Sequence, residues 1–131
     1  MDNNLIADAS TFLAVALEQP EKDLIIQLSE GYFLGAPEII HYEISNALIA
    51  MIRRKKINFI QAKEAYQITQ RITVKLLKPH LETSLEIAYQ HHIYAYDAFY
   101  LQCALQFHSP LLTLDKNMQR VAKQLSIQVL E

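Results

Sequence analysis

The stretch Tyr96–Met118, YDAFYLQCALQFHSPLLTLDKNM, decides how this chain folds. Within it Phe99, Leu101, Cys103, Ala104, Leu105 and Phe107 cover more than half the surface of a helix over Ala98–Phe107, which predicts that the helix is largely buried. Pro110 and the apolar run Leu111–Leu114 then read as a buried strand, with Asp115 where the strand ends. Asp97 falls in the first turn of the helix, near the positive end of its dipole. Charged side chains at the rim of buried elements are costly unless paired, solvated or bound to a cation. These two carboxylates are therefore the first feature to explain.

Outward from this stretch, short apolar runs alternate with helical patterns. Leu5–Ala7 is an apolar strand ending at Asp8, with Ser10 expected to cap a helix over Thr11–Leu17. Gln19-Pro20 breaks that helix, and Glu21–Ser29 reads as a second, with Gly31 at its C-terminal cap. Tyr32–Gly35 is the second strand. Pro37 suits the first turn of a helix running to about Lys55, which puts Glu43 about two turns in. Asn58 is positioned to cap a helix over Phe59–Ile72, and Thr73–Leu77 is a third strand, ended by Lys78-Pro79. Leu81–His91 makes another helix. After Asp115 come a helix over Lys116–Leu125 and a last strand, Ile127–Leu130. This alternation predicts an α/β protein with a central, mainly parallel sheet. No linker or internal repeat interrupts it, so residues 1–131 form one expected domain.

Composition narrows the function classes. Half the 131 residues are hydrophobic (51%) against 20% charged, which is globular and not disordered. Two Gly and four Pro are too few for a turn-rich all-β fold, and the single Cys excludes an internal disulfide. The thiol count fits a reducing, cytoplasmic setting. MDNN carries no positive charge, so Phe12–Leu17 does not read as a signal-peptide core, and Ala47–Ile52 is too short to span a bilayer. A net charge of −2 leaves no overall basic footprint for nucleic acid. An enzyme gripping a polyanion through a bound metal and a few local cations remains compatible with it.

In open parallel sheets the ligand crevice lies outside the carboxyl ends of the strands, where Asp8 and Asp115 could meet, with Glu43 and Asp97 pointing in from helices. Carboxylates that close repel one another unless a cation joins them. Mg²⁺ or Mn²⁺ prefers oxygen ligands and generates a hydroxide nucleophile, and no Lys or His stands among these residues as a general base. The spacing alone is equally compatible with caps and a solvated rim.

The local sequences resemble the PIN-domain ribonucleases, in particular the VapC-type toxins of prokaryotic toxin–antitoxin pairs. The matching stretches are IADASTFLAVAL, APEIIHYEISNAL, YDAFYLQCAL and PLLTLDKNM, in family order and spanning almost the whole chain. The resemblance implies a three-layer α/β/α sandwich and Mg²⁺- or Mn²⁺-dependent endonucleolytic cleavage of RNA by metal-activated water, with one or two ions. Asp8, Glu43, Asp97 and Asp115 match its four acidic positions, and Ser10 and Thr113 its polar ones. Many members carry a further acid where this chain has Asn117, which leaves a second metal in doubt. The resemblance further implies a homodimer and a small antitoxin partner, while the short apolar runs predict no membrane association.

Other residues carry two readings each. Arg53, Arg54, Lys55 and Lys56 close a helix, either on a solvated face or as contacts to phosphate or an acidic partner segment. Lys116, Arg120 and Lys123 either cradle RNA phosphates or simply face solvent. Asn46 shares the face of Glu43, and Tyr96 either stacks on a base or sits half-buried with a wet hydroxyl. Ile49, Ile52, Phe59 and Ile60 either pack internally or form a groove for a partner helix. The five His show no ligand spacing, and Cys103 reads as an inert core thiol. Two further function classes stay open: an aspartyl-phosphate phosphatase-like domain using Asp8, and a non-catalytic partner-binding module on the same fold.

Overall fold

The computed structural model describes residues 3–131. Four parallel strands, β1 (Asn4–Ala7), β2 (Phe33–Pro37), β3 (Lys75–Leu77) and β4 (Leu111–Leu112), form one sheet in the order β3-β2-β1-β4. Among the described residues seven helices flank it: α1 (Ala9–Ala16), α2 (Lys22–Ser29), α3 (Ile40–Arg53), α4 (Phe59–Arg71), α5 (Leu81–His91), α6 (Ala95–Gln106) and α7 (Lys116–Gln124). The expected mixed α/β fold with a central parallel sheet is thus observed.

The side chains explain the layering. Leu5 and Leu112 point to one face, where they cluster with Ala14 of α1 and Ile25 of α2. Their neighbours Ile6 and Leu111 point to the other, into a cluster that includes Leu101 of α6 and Val121 of α7. A strand buried on both faces needs apolar residues at every position, and burying each such side chain stabilises the fold by roughly 1.5–3 kcal/mol.

Chain order fixes where a crevice opens. The crossovers from β1 to β2 and from β2 to β3 step outward in one direction, whereas the next returns past β1 to lay β4 on its far side. The direction reverses between β1 and β4, and ligand crevices form outside the carboxyl ends of strands at such a reversal. Asp8 and Asp115 stand just beyond those two strand ends.

Several boundaries differ from the sequence reading. Asp8, not Ser10, is the N-cap of α1, and its side chain accepts from the Thr11 N–H. Pro37 does not open a helix but closes β2, paired with Leu77. Proline is tolerated there because the next amide, that of Glu38, donates to Leu77 on the β3 side (2.9 Å). Alternation then puts the missing N–H of Pro37 on the side where β1 has already ended. With α3 beginning at Ile40, Glu43 sits in its first turn and not two turns in.

The third strand is shorter than Thr73–Leu77, and β4 stops at Leu112. The expected last strand, Ile127–Leu130, is reduced to a single parallel bridge between Val129 and Leu111. Other signals hold. Asn58 caps α4 in a reciprocal box with Gln61 (2.8 and 2.9 Å), and Gly31 follows α2 at φ 82°, the left-handed conformation that ends helices.

Candidate functional site: an acidic crevice at the sheet edge

Asp8 is the most constrained of the acids. It is 8% exposed and follows the last residue of β1. Its Oδ1 accepts from the Ser10 hydroxyl (2.6 Å) and the Thr11 amide (3.3 Å), and its Oδ2 accepts from the Thr113 hydroxyl (2.5 Å). An ionised carboxylate offers about four lone-pair positions, so one, on Oδ2, is left. The same hydroxyls fasten the end of β4. Thr113 Oγ1 accepts from the Asp115 amide (3.0 Å) and Ser10 Oγ from the Leu114 amide (3.1 Å). Gln119 holds the Thr113 carbonyl from the other side (2.7 Å).

Asp115 is exposed and caps α7, accepting from the Met118 amide (3.1 Å). Asp97 lies half-buried in the first turn of α6. Glu43, half-buried on α3, accepts at Oε1 from the hydroxyl of Tyr100 (2.5 Å), itself a fully buried residue of α6. The two helices are thereby tied together at the crevice.

The electrostatics are those of uncompensated negative charge. Burial holds Asp8, Glu43 and Asp97 above the usual carboxylate range. Donors oppose the rise at Asp8 and Glu43, while neighbouring acids add to it. Asp115 pushes on Asp8 and Asp97, and Asp97 and Asp8 push on Glu43. Burial, with the Glu43 carboxylate beside it, also pushes the Tyr100 phenol up. The two ion pairs among the described residues, Lys22–Glu18 and Lys123–Glu131, involve none of the four acids.

The sequence-predicted acids therefore share one electrostatic neighbourhood. As placed, no three His, Cys, Asp or Glu side chains among the described residues converge closely enough to cage an ion. The donor set is nonetheless that of a hard divalent cation, which commonly takes one or two carboxylates and keeps several waters.

The remaining candidates divide. Ser10 and Thr113 serve Asp8 directly. Asn117 gives its Oδ1 to Arg120 (Nε 3.3 Å, Nη2 2.7 Å), so the pair is preorganised on α7. Lys116 is exposed at the start of α7, beside Asp115, whereas Lys123 pairs with Glu131 at 2.6 Å. Arg53 and Arg54 end α3, about 15 Å along the helix axis from Glu43 at 1.5 Å per residue. They are exposed but stand apart from the acids. Tyr96 and Asn46 both line a cleft of about 460 Å³ bordered by Glu43, Ala9, Ile39 and Tyr42.

Three residues of the site were missed by the sequence reading: Tyr100, Thr11 and Gln119. Tyr100 is three residues beyond Asp97, a spacing that shares a helix face, and Gln119 is four beyond Asp115. That periodicity was the available signal.

A parallel sheet whose reversal point carries an acidic crevice braced by hydroxyls defines the class of α/β domain to which this protein conforms. The PIN domain profile matches residues 5–124, and the chain belongs to the PIN domain family. PIN domains are generally nucleases that use divalent metals. A crystal structure of PAE2754 from Pyrobaculum aerophilum is similar in fold (TM-score 0.70, 24% identity, covering 92% of this chain and 87% of that one). No curated protein matches the chain. Among the described residues no helix is long and apolar enough to cross a membrane.

Proposed function

We propose that this protein is a metal-dependent endoribonuclease, the toxin of a VapC-type toxin–antitoxin pair. The observation that carries the reading is the mutual repulsion of Asp8, Glu43, Asp97 and Asp115, none of which forms an ion pair among the described residues. A fold that keeps such a cluster gains stability when a divalent ion enters it.

Asp8, Asp97, Asp115 and Glu43 would hold Mg²⁺ or Mn²⁺. When bound, the ion supplies Lewis-acid polarisation of the phosphodiester and lowers the pKa of attacking water. The chain's own residues prepare the place. Ser10 and Thr113 fix the Asp8 carboxylate so that its remaining lone pair is constant in direction. Lys116 and Arg120, exposed on the helix that Asp115 caps, take the flanking RNA phosphates. Arg53 and Arg54 serve a longer RNA or a partner. Asn117, committed to Arg120, adds no charge for a second ion.

The partner surface fits this reading. Ile49, Phe59 and Ile60 are exposed, at 43%, 65% and 66%, where an antitoxin segment would lie. A homodimer in the cytoplasm completes the proposal. An aspartyl-phosphate mechanism is disfavoured, because that chemistry usually wants a second acid two residues after the first, where this chain has Ser10.

The test is cleavage of a panel of structured RNAs with and without Mn²⁺. Asp8→Asn and Asp97→Asn should each stay folded and lose at least about 100-fold in rate, the equivalent of roughly 3 kcal/mol of transition-state stabilisation. Full metal-dependent activity in both variants would overturn the assignment.

A further inference from the structure

Tyr100 is among the largest fully buried side chains, at 2% exposure, yet its one polar atom is aimed at a single group. Its hydroxyl donates to Glu43 Oε1 at 2.5 Å, across the junction of α3 and α6. A buried Tyr with only a packing role could send its hydroxyl to a main-chain carbonyl or to water. Here it goes to an acid of the crevice, from the same face of α6 that carries Asp97 one turn earlier.

Glu43 needs such a restraint. Its side chain has three rotatable bonds, and fixing a side chain of this kind costs roughly 1.5–2 kcal/mol of rotamer freedom. Among the described residues no Lys or Arg pairs with it, and Asp97 and Asp8 both repel it. Among the described residues, the one side-chain hydrogen bond that holds it is the one from Tyr100.

We infer that Tyr100 is a positioning residue: its hydroxyl holds one oxygen of Glu43 so that the other stays turned toward a divalent cation in the crevice. The inference rests on the proposed metal-dependent function and deepens it by assigning a residue outside the acidic quartet. Orientation is supplied in advance by the fold, so the ion does not have to recruit Glu43 from a mobile state.

The experiment is a double-mutant cycle read by calorimetric titration of Mn²⁺ into the folded, metal-free protein. Tyr100→Phe keeps the ring and removes the hydroxyl, and should weaken Mn²⁺ binding about 10-fold. Glu43→Gln keeps an acceptor for Tyr100 but not the charge. In that background the same Tyr100→Phe change should shift affinity less than about 2-fold.

Equal shifts in both backgrounds, or wild-type affinity in Tyr100→Phe, would refute the inference. Should Tyr100→Phe not fold, para-aminophenylalanine at position 100 retains a donor and should bind Mn²⁺ within about 3-fold of wild type. A 10-fold loss there would refute it equally. Wild-type protein that takes up no Mn²⁺ overturns the proposed function and this inference together. Uptake that Tyr100→Phe leaves unchanged overturns this inference alone.

Discussion

Replacing Thr113 by Val removes one hydroxyl from a buried site without changing the side chain's volume. Thr113 is 1% exposed, and its Oγ1 both donates to Asp8 Oδ2 and accepts from the Asp115 amide. A hydrogen bond to a charged group contributes about 1.5–3 kcal/mol, and an amide left without its acceptor near solvent costs about 1 kcal/mol more. At pH 7.5 the expected loss is about 3 kcal/mol. A chain of this length has an unfolding entropy of roughly 0.28 kcal/mol/K, so Tm should fall by about 10 °C.

The sign of the pH dependence is fixed by Asp8. Its carboxyl is held above the usual range by burial, with the Thr113 bond pulling against that rise. Below its folded pKa Asp8 is protonated in both proteins and can donate a proton itself. The gap between wild type and Thr113→Val should therefore narrow on acidification, to about 3–4 °C. Thermal unfolding by circular dichroism in EDTA, from pH 4 to 8, measures both quantities. A gap under 3 °C at pH 7.5, or one that widens in acid, refutes the reasoning.

Asp8, Glu43 and Asp97 are raised acids, binding their protons more tightly in the folded chain than in the unfolded one. The stability they contribute is complete below the ordinary values of 3.8 and 4.5 and is lost as pH rises through the folded values. Tm of the metal-free protein should carry that decline, and Asp97→Asn should make the slope shallower; an unchanged slope counts against the crowded charges. At neutral pH, Mn²⁺ at 100 times its dissociation constant should restore about 2.7 kcal/mol, near 10 °C, and Asp97→Asn should abolish most of the gain. Cys103 is fully buried and its thiol is pushed up to about 12, so native protein at pH 8 should resist iodoacetamide for hours, while unfolded protein reacts in minutes; rapid native labelling would contradict its placement. Asn58→Ala removes a capping box and should lower stability by about 1 kcal/mol, or 3–4 °C, leaving Mn²⁺ binding unchanged.

The sheet was legible because buried strands and amphipathic helices leave different periods, and Leu5–Ala7 and Leu111–Leu112 are apolar at every position. Asp8, Asp97 and Asp115 drew notice at element ends, but that spacing fitted caps equally well and Glu43 was read two turns into its helix; the family-like local sequences were what gathered the four. What local patterning could not supply was the set of non-local partners. Pro37 reads as a helix opener by propensity, yet pairing with Leu77, forty residues on, draws it into a strand. Ser10 is a good capping residue in isolation, but Asp8 takes that position because its carboxylate is also held across the sheet by Thr113. Ile127–Leu130 has strand composition but pairs only with the short β4, which leaves it one bridge. Tyr100 drew no reading, because its hydroxyl's partner lies 57 positions away.

The bond between Thr113 and Asp8 joins residues 105 positions apart. The entropic cost of closing so long a loop must be met before the crevice exists, so this junction belongs among the slowest events of folding. On the ribosome, a growing chain that has released everything through the fifth helix still lacks β4, and with it Thr113 and Asp115. The four acids of the crevice therefore cannot be brought together until nearly all of the chain has been translated.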